Sequence, residues 1–168
     1  MISDNLFISL TNVVLYTVKT LRFQEMNRLT SVVRFNILYP FRLTGIRKLK
    51  EQIRGLFEKE KKIFRSLDYI FCSDDYLVRI NEDFLNHDDL TDIISFDLSD
   101  SGSPIYGEIY ISVERVLENS KRFKVPFSTE LRRVMFHGAL HLCGYGDKTP
   151  AQVAEMRNKE DFFLELYK

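Results

Sequence analysis

The sequence predicts an α+β domain: one small four-stranded mixed sheet wrapped by about five helices. Three observations point there. Short β-branched and apolar runs alternate with segments of helical spacing, in the order β, α, β, α, β, β, α, α, α. Ser, Thr, Asp and Pro stand where helices would start or stop. The 168 residues are 45% apolar and 29% charged, with few Gly and Pro, which suits one hydrophobic core and argues against disorder and low complexity. No internal repeat is visible.

Residues 1–28 read as a weakly ordered N-terminal extension, with a single domain over 29–168. The apolar stretch 7–18 is broken by Ser9, Thr11, Asn12 and Thr17, and falls short of the about 20 apolar residues a bilayer span needs. Asp4 stands where a signal peptide would be positive, and no small-residue cleavage site follows. Residues 32–38 have strand character and Pro40 closes them. Thr44 is expected to cap a helix over 44–65, with Ile46, Leu49, Ile53, Leu56, Phe57 and Phe64 at helical spacing. A second strand is expected at 69–73, a helix capped by Asp74 and running to Leu85, a polar loop at 86–89, and a third strand at 91–97. The fourth strand covers 106–112, and Ser112 caps a helix that runs to Phe123. Pro126 breaks it. Ser128 is expected to cap the next helix, buried along Val134, Leu140 and Leu142. Thr149 as cap and Pro150 as first residue open a last helix to Leu166.

Near the end of the fourth predicted helix stand His137 and His141, then Gly144 and Asp147: a His-x3-His-x5-Asp pattern. Histidines four apart share a helix face and can meet one ion at about 2.0–2.1 Å each. Gly144 is the helix stop, tolerant of the left-handed backbone. Asp147 then arrives as a third ligand and leaves a fourth position for water, the mark of a catalytic rather than a structural site. This reads as a metal-dependent hydrolase holding one zinc ion per chain, with another divalent transition metal as the alternative. The zinc-protease pattern His-Glu-x-x-His carries its base beside the first histidine; here that residue is Gly138.

Net charge is zero but unevenly spread. Residues 42–65 hold nine basic and three acidic side chains, and residues 68–118 hold thirteen acidic and two basic. The first segment could meet a polyanion and the second could surround a cation. Arg47, Lys50, Arg54, Lys61 and Arg65 form the candidate basic stripe on the 44–65 helix. Two cysteines, Cys72 and Cys143, make no disulfide framework, and a reducing cytoplasm is expected. Cys143 should point away from the histidine face as buried filler.

The segment His137-Gly-Ala-Leu-His141-Leu-Cys-Gly-Tyr-Gly-Asp147 resembles the signature of the YbeY family of bacterial metal-dependent endoribonucleases. Thr91-Asp92-Ile-Ile-Ser-Phe96 and Gly107-Glu108-Ile109 resemble two of that family's strands, and the likeness covers roughly residues 32–168. It implies a cytoplasmic, single-strand-specific endoribonuclease acting at the 3′ end of 16S rRNA and in ribosome quality control. Its partners would be single-stranded RNA and the ribosome or small subunit, with neither membrane nor DNA. There are two departures. Asp147 replaces the family's usual histidine, which makes the site less positive. Leu85 replaces a usual arginine, and His87 is the candidate substitute.

The expected chemistry is metal-assisted phosphodiester hydrolysis. With Gly138 in the base position, the proton acceptor is the ion's own solvent ligand, Asp147, or a carboxylate across the cleft, where Glu108 is the candidate. RNA would rest on the basic stripe together with Arg132 and Arg133. The alternatives are a metal-dependent amidase or protease, a two-histidine, one-carboxylate iron oxygenase, and a non-enzymatic ribosome-assembly factor with a structural metal.

Overall fold

The sheet forms around two central strands rich in β-branched and aromatic residues. β2 (Phe64–Cys72) and β4 (Ile105–Ser112) lie inside it, and most of their residues are buried. β1 (Val32–Ile37) and β3 (Ile93–Asp97) are the edges, giving the order β1-β2-β4-β3. β1 runs parallel to β2 and β2 parallel to β4, while β3 is antiparallel to β4. The helices are α1 (Ile46–Lys59), α2 (Asp74–Leu85), α3 (Val113–Phe123), α4 (Phe127–Leu142) and α5 (Pro150–Leu166). The structure, a computed structural model, describes residues 31–85 and 91–168. The expected extension at 1–28 and the candidate His87 lie outside the described residues. Among those described, the four-stranded mixed sheet and five helices match the predicted class.

Side chains alternate across each strand, so the sheet has two different faces. Leu67, Tyr69, Ile109, Ile93 and Ser95 share the face that meets α4. There the Tyr69 hydroxyl donates to the Met135 carbonyl at 3.1 Å. The other face carries Asp68, Glu108, Phe96 and Tyr110, with Cys72, Ile94 and Leu77 of α2 forming a smaller cluster. The main core joins the first face to α1, α3, α4 and α5 through Ile53, Phe57, Val116, Phe136 and Phe163.

Gly138 sets how closely α4 can approach the sheet. A Cβ there would stand 2.6 Å from Ile93 Cδ1, 2.8 Å from Ile109 Cγ2 and 3.0 Å from Ser95 Oγ. The residue that reads in sequence as a missing base is a packing contact, and a glutamate side chain would have no room.

Four local expectations are corrected. α1 ends at Lys59 rather than Arg65. Lys61 takes the left-handed position (φ 55°), and the Lys62 N–H returns to Phe57 O at 2.9 Å. Phe64 is therefore the buried start of β2, not the end of a helical stripe. At the start of α1, Gly45 rather than Thr44 is the capping residue, without a side-chain cap. Asp74 is the first residue of α2 rather than its cap, and the Ser73 hydroxyl before it accepts from the Tyr76 N–H at 3.2 Å. Likewise Pro126 precedes α4, and Ser128 sits inside the first turn rather than capping it. By contrast Ser112 caps α3 and Thr149 caps α5 through a reciprocal capping box with Gln152, as the sequence predicts.

Candidate metal centre

The helix end builds the site. Gly144 takes φ 102°, its N–H bonds His141 O at 2.9 Å, and the Tyr145 N–H bonds Leu140 O at 3.0 Å. This is the Schellman pairing that closes a helix with a left-handed residue. It folds the chain back over the last turn of α4. The Tyr145 carbonyl then accepts from His141 Nδ1 at 2.9 Å. The returning chain brings Asp147 to the histidine face. The Tyr145 ring is anchored as well: its hydroxyl donates to Glu60 at 2.7 Å, and Lys159 donates to the same carboxylate at 2.8 Å.

His137, His141 and Asp147 converge, each offering a ligand atom within 4.8 Å of the others. The two Nε2 atoms are 2.9 Å apart. Asp147 Oδ2 lies 3.5 Å from His141 Nε2 and 3.7 Å from His137 Nε2. Ligands about 2.05 Å from one tetrahedral zinc stand about 3.3 Å apart, so these spacings bracket that value. The donor chemistry points the same way. His137 Nδ1 faces Glu160 Oε1 at 2.7 Å, so both Nδ1 atoms have acceptors as partners. With the ring protons there, both Nε2 atoms present lone pairs, and the third group is an oxygen. Two lone pairs and a carboxylate aimed at one point fit a cation. The His137-His141-Asp147 cluster can hold a metal ion.

The surroundings tune the two rings in opposite directions. Burial lowers the His137 pKa, but the hydrogen bond and charge of Glu160, with the charges of Asp92 and Asp147, together outweigh it and the net shift is upward. His141 is lowered, by burial first and then by His137. Asp92 lines the same groove; burial raises its carboxyl above the ordinary range, and Asn119 donates to it at 3.1 Å. In the sequence Asp92 stands out only as part of a strand motif. Its place in the β3 lead-in, facing the last turns of α4, depends on tertiary pairing that spacing does not reveal.

Other candidates fall elsewhere. Glu108 lies on the sheet face away from α4, where the Tyr110 hydroxyl donates to it at 2.7 Å; strand alternation removes it from the groove. The acidic segment is divided between the two faces: Asp92 lines the groove, whereas Asp68 shares the far face with Glu108. Cys143 is buried, and burial pushes its thiol up to about 12. Leu85 closes α2.

The basic stripe is divided. Arg47, Lys50 and Arg54 share a face of α1, Lys61 lies in the following turn, and Arg65 is exposed on β2. Lys50 sits over the Phe35 ring and Arg54 donates to Ser31 O, so this face borders the β1 edge. Arg132 donates to Ser128 O and Tyr167 O. Arg133 is not a free RNA contact: it pairs with Glu160 at 3.1 Å and Asp161 at 2.8 Å, with Glu130 at 3.9 Å.

The family model for Endoribonuclease YbeY matches residues 42–168, which include every candidate metal ligand. The chain belongs to the YbeY endoribonuclease family. Two curated relatives are named Endoribonuclease YbeY. That of Flavobacterium psychrophilum is 48% identical over 136 residues, covering 81% of this chain and 96% of its own length. That of Flavobacterium johnsoniae is 46% identical over 136 residues, covering 81% and 97%. A solution structure of a Thermotoga maritima protein aligns with TM-score 0.56 and 28% identity, covering 81% of this chain and 88% of that one. The YbeY assignment agrees with the resemblance carried by the His137–Asp147 signature. Among the described residues, no helix is long and apolar enough to cross a membrane.

Proposed function

We propose that this YbeY-family chain is a metal-dependent, single-strand-specific endoribonuclease of the cytoplasm, acting in 16S rRNA 3′-end maturation and ribosome quality control. The observation that carries the proposal is the convergence of His137, His141 and Asp147 in a chain of that family. His137, His141 and Asp147 would hold a divalent ion, zinc by the donor set, which would supply Lewis acidity at a phosphoryl oxygen and a more acidic water. The two imidazoles and Asp147 fix its position. Asp92, in the same groove and held by Asn119, replaces Glu108 as the candidate proton acceptor beside Asp147. Arg47, Lys50, Arg54, Lys61, Arg65 and Arg132 are the candidate contacts for the phosphate backbone.

Gly138 disfavours a protease of the His-Glu-x-x-His kind, because the place of its base is filled by Ile93, Ile109 and Ser95. The test is cleavage of a single-stranded RNA, and of the same strand in a duplex, by chelated and zinc-restored protein. Chelation should abolish cleavage of the single strand and zinc should restore it. His137→Ala should lose metal and cleavage together. Full-rate cleavage by metal-free protein would overturn the proposal. Peptidase activity, or iron content with oxygen uptake, would favour the other hydrolase or the oxygenase. A wild-type protein that binds the small subunit without cutting, as His137→Ala also does, would favour the assembly factor.

A further inference from the structure

We propose that Glu160, held by Arg133, is the positioning residue of the metal centre, locking the His137 ring so that Nε2 faces the ion. The inference rests on the reading of His137 as a ligand. It concerns residues from two helices whose sequence spacing carries no sign of it: Arg133 and His137 lie one turn apart on α4, and Glu160 bridges them from α5.

The Glu160 side chain is 8% exposed. A carboxylate so placed is tolerated only where both oxygens find partners. Oε1 is 2.7 Å from His137 Nδ1, and Oε2 is 3.1 Å from the Arg133 guanidinium. A neutral imidazole has one N–H. An ionised carboxylate can only accept, so that proton belongs on Nδ1 and the lone pair on Nε2. Turning the ring over would break this bond and leave the buried carboxylate half-paired. The carboxylate also raises the basicity of the imidazole it accepts from, which strengthens it as a ligand. His141 has a weaker counterpart, the neutral Tyr145 carbonyl. The two ligands on one helix turn are therefore supported unequally, and His137 is the one with a charged partner.

Arg133 completes the arrangement. Besides Glu160 it pairs with Asp161 at 2.8 Å, while Glu130 stands at 3.9 Å, so its cation is enclosed by carboxylates. Its work is to hold the Glu160 carboxylate in place, not to meet RNA.

The experiment compares full-length wild type with Glu160→Gln, Glu160→Ala, Arg133→Gln and Arg133→Lys. Zinc dissociation constants are taken by competition with a chromophoric chelator, and ligand-field spectra on cobalt(II)-substituted protein. Glu160→Ala should weaken zinc binding by about 10- to 100-fold and shift the cobalt bands. Glu160→Gln, which keeps the volume and an acceptor oxygen, should lose less. Arg133→Gln should weaken zinc binding too, and Arg133→Lys should largely restore it. Should Glu160→Ala not fold, the Gln variant decides the matter by the same two readings. Unchanged zinc affinity and cobalt spectrum in folded Glu160 variants, with a normal wild type, would overturn the inference and leave the metal site standing. So would an Arg133→Gln variant that lowered only the salt dependence of RNA binding. A wild type that took up no metal would overturn the metal reading itself, and this inference with it.

Discussion

The opposed shifts of the two histidines carry a consequence for pH. The apo His137 pKa is raised above its ordinary value, so its Nε2 takes a proton first as pH falls. That proton removes the lone pair an ion needs. His141, lowered, protonates only at more acid pH. The apparent zinc dissociation constant should therefore worsen by about tenfold per pH unit once pH is below the His137 pKa, with one proton taken up per ion released. The apo fold responds in the opposite sense. A raised native pKa makes the His137–Glu160 attraction fully stabilising below the unfolded value, and that contribution fades as pH rises through the folded one. The gap in melting temperature between zinc-loaded and stripped protein should thus narrow on acidification. A gap independent of pH between 5 and 8 would show that His137 does not exchange its proton for the ion. Gly138 gives a second test at this scale. Alanine there gains about 1 kcal/mol of helix propensity. Its methyl would overlap Ile93 and Ile109, packed against α4 on the sheet face. The overlap should win, with a net loss of about 1–3 kcal/mol in urea unfolding of the apo protein. The convergence of the candidate ligands and the helix stop is legible in sequence because it is local: His137, His141, Gly144 and Asp147 lie within one turn and its reversal. Gly138 was visible only as something absent, since what it touches comes from strands far away in the chain.

At the scale of elements, those with sharp chemical punctuation were readable. Thr149 and Pro150 opened α5 as predicted, and Gln152 completes the capping box. Thr149→Ala should cost about 1 kcal/mol of stability, measured by denaturant unfolding, while His137 and His141 stay on their own helix. The misread boundary is the passage from α1 to β2. Phe64 falls in helical phase with Phe57, so periodicity runs on past the true end. The actual stop is Lys61 at φ 55°, and lysine sends no stop signal as glycine or asparagine would. A bulge between Phe64 and Ser66 further blurs the alternation that marks a strand. The shared spacing is therefore uninformative where burial alone decides. The same limit accounts for Glu108: residue type and closeness to a motif suggested a base, but the pleat puts it on the wrong face.

Across the whole molecule, the candidate metal centre and the cations of α1 stand at opposite edges of one sheet. Gly138 of the metal helix packs on β3 and β4, whereas Lys50 and Arg54 border β1. With the order β1-β2-β4-β3, the edges are three strand spacings apart, about 14 Å. An RNA touching both would span roughly four nucleotides at the ~3.4 Å per phosphate of a stacked strand. Charge segregation in the sequence thus becomes distance in the fold, and it makes the proposed track testable apart from the chemistry. Arg47→Glu, Lys50→Glu and Arg54→Glu together should weaken binding of a long single strand. They should also reduce the salt slope, log K against log salt, by about 2, at roughly 0.7 for each phosphate no longer neutralised. Zinc affinity should not change, because none of the three touches the ligands or their partners. A dinucleotide, too short to reach from the ion to α1, should be cleaved equally well by the triple variant and the wild type. If the long-strand salt slope of the variant equals that of the wild type, α1 is a solvated basic face and the phosphate contacts lie elsewhere.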